Sequence, residues 1–90
     1  MLRMIKERCG IPEEIEVYDE DINLYLNDCL EDMKASGVPE RLMSAAEQNP
    51  QMLTAATLYV KAYLGDDRTD TEKYLELYRR KVFRLTMEAE

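Results

Sequence analysis

The sequence predicts an all-α fold, a small bundle, on three observations. Residues 19–36, 50–64 and 70–88 each carry apolar residues at helical spacing over four turns or more. All three glycines, Gly10, Gly37 and Gly65, fall just past the end of a helical pattern, where a residue without a Cβ closes a helix at least cost. The only period-2 stretch, Glu14 to Tyr18, is too brief and too charged for a sheet. Short helical pieces near 1–9 and 40–47 complete the expected set.

Taken in order, the first piece places Leu2, Ile5 and Cys9 on one side, with Gly10 as its stop. A helix this short does not outweigh its nucleation cost unless it docks. Pro12 then opens an acidic connector, expected to be extended. The helix at 19–36 starts at Asp19, an expected N-cap, with Glu20 and Asp21 at the positive end of the helix dipole. Ile22, Tyr25, Leu26, Cys29, Leu30 and Met33 make its apolar stripe, and the opposite face carries Asn23, Asn27, Asp28, Glu31, Asp32 and Lys34. Leu24 lies off the stripe and is a candidate contact residue. Gly37 and Pro39 end this helix, and the piece at 40–47 turns Leu42, Met43 and Ala46 to one side.

The helix at 50–64 is the most apolar and the expected centre. Asn49 suits the N-cap and Pro50 the first helical position. Apolar residues cover almost every face, Lys61 is its only charge, and Gly65 is the expected left-handed stop. After a polar loop at Asp66-Asp67-Arg68, Thr69 and Glu72 have the spacing of a capping box. The last helix, 70–88, has Leu75, Tyr78, Val82 and Leu85 as its stripe, flanked by Tyr74, Leu77 and Phe83. Ninety residues without repeat or composition break read as one helical domain, 1–90.

Composition narrows the function. There are 19 acidic residues against 12 basic ones, which weighs against a surface that grips phosphate all over. Histidine is absent, no glycine-rich phosphate loop exists, and the acidic clusters lack the spacing and internal glycine of a calcium loop. The chain is therefore expected to be no enzyme and to carry no cofactor or metal. Cys9 and Cys29 read as buried or half-buried thiols in a reducing compartment. No membrane-length apolar run and no signal peptide are visible, so the chain reads as soluble and intracellular. As a helix-turn-helix reader, the central helix would offer only Lys61 and Gln51 to DNA, and that version fails.

Candidate contact residues lie on the last two helices. Lys73, Arg79, Arg80, Lys81 and Arg84 stand against Glu72 and Glu76, a local reversal of the acidic balance. The ordinary explanation is a solvated face with pairs such as Glu76–Arg80. The functional one is a basic docking face for an acidic neighbour, such as the 19–36 helix of an identical subunit in a ring. Tyr63 and Leu64 lie where the central helix has more apolar surface than its own chain covers. Tyr74 and Tyr78, four residues apart, fit a core rim and also an interface, where Tyr and Arg are enriched. The candidate interface is thus Tyr63, Leu64, Tyr74, Tyr78, Arg79, Arg80 and Arg84.

The order of phrases is familiar. Cys9-Gly10-Ile11-Pro12 leads to Val17-Tyr18-Asp19-Glu20-Asp21-Ile22, then Ser36-Gly37-Val38-Pro39 and Asn49-Pro50. Ala56-Thr57-Leu58-Tyr59-Val60-Lys61-Ala62-Tyr63 and Glu72-Lys73-Tyr74-Leu75-Glu76-Leu77-Tyr78 follow. Over nearly the whole chain this resembles the small head–tail connector (DNA-packaging, head-completion adaptor) proteins of tailed bacteriophages and prophages. The resemblance implies a homo-oligomeric ring on the portal protein that extends the DNA channel and seats the stopper or tail-completion protein. Double-stranded DNA would pass without sequence-specific binding, with no membrane partner and no catalysis. The subunit would wait in the bacterial host cytoplasm and end in the virion at the portal vertex. The resemblance carries over no functional residue. The alternative is a DNA-binding or packaging-associated regulator that uses the basic last helix, and a third possibility is a small acidic inhibitor of another protein.

Overall fold

A computed structural model of the chain describes residues 1–65 and 68–88. The elements are α1 (Leu2–Arg8), α2 (Asp19–Ser36), α3 (Glu40–Ser44), a 3-10 turn (Ala46–Gln48), α4 (Pro50–Leu64) and α5 (Arg68–Thr86). The fold is all-α, with no strand among the described residues. The expected ranges for α2 and α4 agree to the residue. The last helix starts and stops two residues earlier than 70–88, and the piece at 40–47 is divided into α3 and a 3-10 turn. The polar loop at Asp66 and Asp67, and the capping side chain of Thr69, lie outside the described residues.

α4 is the central helix. Met52, Leu53, Ala55, Ala56 and Val60 are buried on it, and Asn49 Oδ1 caps it by accepting from the backbone N–H groups of Gln51 (2.9 Å) and Met52 (3.3 Å). α2 contributes Ile22, Leu26, Cys29 and Met33 to the same core, and α5 contributes Tyr78, Val82 and Leu85. The contacts give the directions. Tyr25 meets Tyr63 while Thr71 meets Ala62 and Tyr78 meets Tyr59, so α2 and α5 both run antiparallel to α4. α2 and α5 therefore run parallel to each other, touching where Cys29 and Asp32 meet Tyr78.

The three glycines do not behave alike. Gly10 and Gly37 have φ of 74° and 100° and close α1 and α2 by the same device. Ile11 N–H bonds to Lys6 O and Gly10 N–H to Glu7 O; Val38 N–H bonds to Met33 O and Gly37 N–H to Lys34 O. This is the Schellman pattern, and buried Val38 supplies its apolar contact. Gly65, expected to be left-handed, is instead extended (φ −82°, ψ 159°). Its helix end is served from outside, because the Thr71 hydroxyl donates to the Ala62 carbonyl at 2.7 Å. Gly37→Ala should therefore lower stability by about 1–2 kcal/mol, the cost of a Cβ in the left-handed region. Gly65→Ala should raise it by about 0.4–1 kcal/mol by restricting the unfolded chain; the added Cβ meets only Lys61 O, at an ordinary 3.5 Å. Urea denaturation of the two variants checks the opposite signs.

Two expectations about residues 9–19 are corrected. The connector is not extended but folds into two turns, Ile15 N–H to Pro12 O and Asp19 N–H to Glu16 O. Asp19 is not the N-cap; Tyr18 holds that position without a side-chain bond. Both departures have one cause. Lys6 is buried, and its ammonium lies 2.6 Å from Ile15 O, 3.0 Å from Glu13 O and 2.8 Å from Asp19 Oδ1. The ammonium donates to the two carbonyls and forms an ion pair with the Asp19 carboxylate. Together with buried Ile5, this anchor docks a helix too short to persist alone.

Candidate functional site

Four tyrosines from three helices form a continuous aromatic row. Tyr25 and Tyr63 have ring centroids 5.7 Å apart, Tyr63 and Tyr59 4.8 Å, and Tyr59 and Tyr78 5.0 Å. Such tilted and edge-on pairs add to the stability from burial alone. The row runs from surface to core: Tyr63 is 44% exposed, whereas Tyr78 is 3% exposed. Tyr78 is thereby removed from the candidate surface. Its hydroxyl donates to Asp32 Oδ2 at 2.7 Å, and the Cys29 thiol sits 3.8 Å from the phenol oxygen. Desolvation raises the Tyr78 phenol pKa, helped by Cys29 and Asp32. Desolvation likewise pushes the Cys29 thiol from 9.0 up to about 12, against the Tyr78 hydrogen bond that lowers it. Burial also raises half-buried Cys9. Both thiols are therefore poor nucleophiles at neutral pH.

Leu64 and Tyr74 come together at the end of the helices where α4 stops and α5 starts. With Tyr18, Ile11, Lys61 and Asp70 they line an open groove, and Lys61 Nζ stands 6.0 Å from the centre of the Tyr74 ring. The structure thus joins Leu64 to Tyr74, but it separates both from the arginines.

Arg79, Arg80 and Arg84 are exposed on the outer face of α5, and Glu76 pairs with Arg80 at 2.8 Å as the spacing predicts. Among them stand two residues that the sequence reading placed elsewhere or passed over. Phe83 is 65% exposed, and Met87, one turn on, is exposed as well. Phe83 had looked like a flank of the core stripe. Five residues at about 100° each carry it roughly 140° round the helix from Tyr78, which is the signal that distinguishes it. Beside it a shallow groove between α2 and α5 is lined by Asp32, Ser36, Tyr78, Val82 and Phe83.

The outer face of α2 has the opposite character. From Cys9 to Met33 the chain carries nine carboxylates and no base. Glu20, Asp21, Asp28 and Glu31 are exposed round Leu24, itself 56% exposed. The off-stripe leucine is thus an apolar centre in an acidic field, as Phe83 is in a basic one. Among the described residues no group of three or more His, Cys, Asp or Glu could hold a metal ion, and no helix is long and apolar enough to cross a membrane. What the surface offers is two helix faces of opposite charge, each with an exposed apolar residue.

Comparison with known proteins adds one positive finding. A family model described as phage connector protein matches the chain over residues 1–90. No curated protein and no solved structure matches it.

Proposed function

The chain belongs to the phage connector protein family, and from that premise we propose that it is a structural subunit of the phage head–tail junction, without catalytic activity. It acts as one helical domain, assembles as a ring on the portal protein, extends the DNA channel and seats the stopper or tail-completion protein. Duplex DNA passes through without sequence-specific binding. The subunit is made in the host cytoplasm and ends in the virion. The family match over residues 1–90 is the observation that carries this reading. The all-α body supports it, as do the oppositely charged faces of α2 and α5, which suit repeated contact between like subunits.

Purified portal rings mixed with the protein and examined by size-exclusion chromatography and electron microscopy provide the test. The expected result is a symmetric complex with a ring of subunits on one end of the portal. A protein that elutes apart from the portal at every concentration would overturn the reading.

The exposed arginines of α5 favour one second reading, a DNA-binding regulator. It requires duplex binding that weakens steeply with salt and disappears in the Arg79→Ala/Arg80→Ala/Arg84→Ala variant. The surplus of seven negative charges favours the structural role.

A further inference from the structure

We propose that the acidic outer face of α2, centred on Leu24, docks on the basic outer face of α5, centred on Phe83, of a second copy of this chain. The inference rests on the ring-forming role above and names the surfaces that build it.

Each face is unfavourable by itself. Glu20, Asp21, Asp28 and Glu31 repel one another around an exposed leucine, and Arg79 and Arg84 stand, beside the Glu76-paired Arg80, around an exposed phenylalanine. Within one copy the two helices share Asp32 and Arg79 along one groove, while Glu20, Asp21, Asp28 and Glu31 stay exposed on α2. α2 and α5 both turn their buried stripes toward α4 and the core, so their outer faces point away from it on different helices. A second copy supplies what each face lacks: opposite charge for the rim and an apolar side chain for the centre. The groove beside Phe83 has Val82 and Tyr78 in its wall, with Arg79 and Asp32 also lining it, and is open to receive a side chain such as Leu24.

Apolar burial at the centre would supply most of the affinity, while the charged rim sets partner and register. Duplex DNA is a poorer occupant for the α5 face. Its phosphates would answer the arginines but leave Phe83 and Met87 without an apolar complement. A contact from a front face to a different back face is heterologous. Repeated, it closes into a ring or runs on as a filament, according to the rotation between copies.

Sedimentation velocity of the full chain at low salt, over a range of concentrations, tests the pairing with two charge-reversal variants. Arg79→Glu/Arg84→Glu makes both faces acidic and leaves the Glu76–Arg80 pair in place; Glu20→Lys/Asp28→Lys/Glu31→Lys makes the α2 face basic, with only Asp21 of its four carboxylates left against the three lysines. The wild type should self-associate, less so as salt rises. Each variant alone should associate about tenfold or more weakly, the loss typical of removing an interface anchor. An equimolar mixture should recover wild-type association, because each variant then offers the face that the other needs. Phe83→Ser should weaken association to a similar degree, with helicity unchanged by circular dichroism because Phe83 is exposed in the single copy.

A monomeric wild type, variants that associate like wild type, or a mixture that fails to recover would each overturn the inference. So would duplex DNA bound by the wild type and lost with Arg79→Glu/Arg84→Glu, if the mixture also failed to recover. Portal binding is measured separately, so a wild type that still joins the portal would leave the connector role standing while the α2–α5 pairing falls.

Discussion

Tyr78→Ala is expected to destabilise the protein by about 3–5 kcal/mol, the range for truncating a large buried side chain. Three losses coincide there. The ring is 3% exposed and packs edge-on against Tyr59, its hydroxyl donates to Asp32, and its oxygen accepts from the Cys29 thiol at 3.8 Å. For a chain of this size the melting temperature should fall by more than about 12 °C, at about 4 °C or more per kcal/mol. Tyr78→Phe keeps the ring and loses only the hydrogen bonds, so it should cost about 1–2 kcal/mol. Equal melting temperatures for wild type and Tyr78→Ala would show that α5 is not docked through this residue.

The same site makes stability depend on alkaline pH. Cys29 has its pKa raised from 9.0 to about 12, so the native state keeps a thiol proton that the unfolded chain has lost. Its contribution is fully present below about pH 9 and is lost as pH rises toward about 12, because stability falls wherever the native state binds more protons. Tyr78 acts in the same direction. Denaturation curves from about pH 8 to pH 11 should show this decline, and Cys29→Ala should make it shallower.

The second large effect is expected at Lys6. Removing one partner of a buried ion pair costs about 3–5 kcal/mol, and Lys6→Ala belongs near the low end, about 3 kcal/mol. Asp19 explains the choice of end, since its side chain remains 27% exposed and water can partly rehydrate it. The Glu13 and Ile15 carbonyls also lose their donor, so the connector should loosen beyond the global loss of stability. A glutamate-specific protease should then cut at Glu13, Glu14 or Glu16 faster than in wild type under native conditions. Lys6→Met keeps the apolar stem and should recover part of the melting temperature without restoring protection. An intact connector in Lys6→Ala would remove the anchor from the account of how α1 is held.

How the fold divides between sequence and tertiary structure follows from the range of the interactions. The helices α2 and α4, the Asn49 cap and the Gly37 stop were legible because each depends on residues within a few positions of one another. Periodicity, a side-chain oxygen beside free N–H groups, and a left-handed position without a Cβ are local facts. The acidic run from Cys9 to Met33 and the arginines of α5 were legible for the same reason, since charge can be read residue by residue. Leu24 was singled out correctly as lying off its stripe, because its angle on the helix is local too.

Tertiary structure alone decided the rest. Lys6 looked like an ordinary charge interrupting an apolar run; it is buried because Glu13, Ile15 and Asp19 converge on it, which no spacing within α1 foretells. Gly65 does not need a left-handed turn because Thr71 reaches back to the Ala62 carbonyl. Tyr74 and Tyr78 are equivalent by periodicity, yet α2 covers Tyr78 and leaves Tyr74 at a groove. Burial is set by what arrives from elsewhere in the chain, and a sequence lists neighbours along the chain rather than across space.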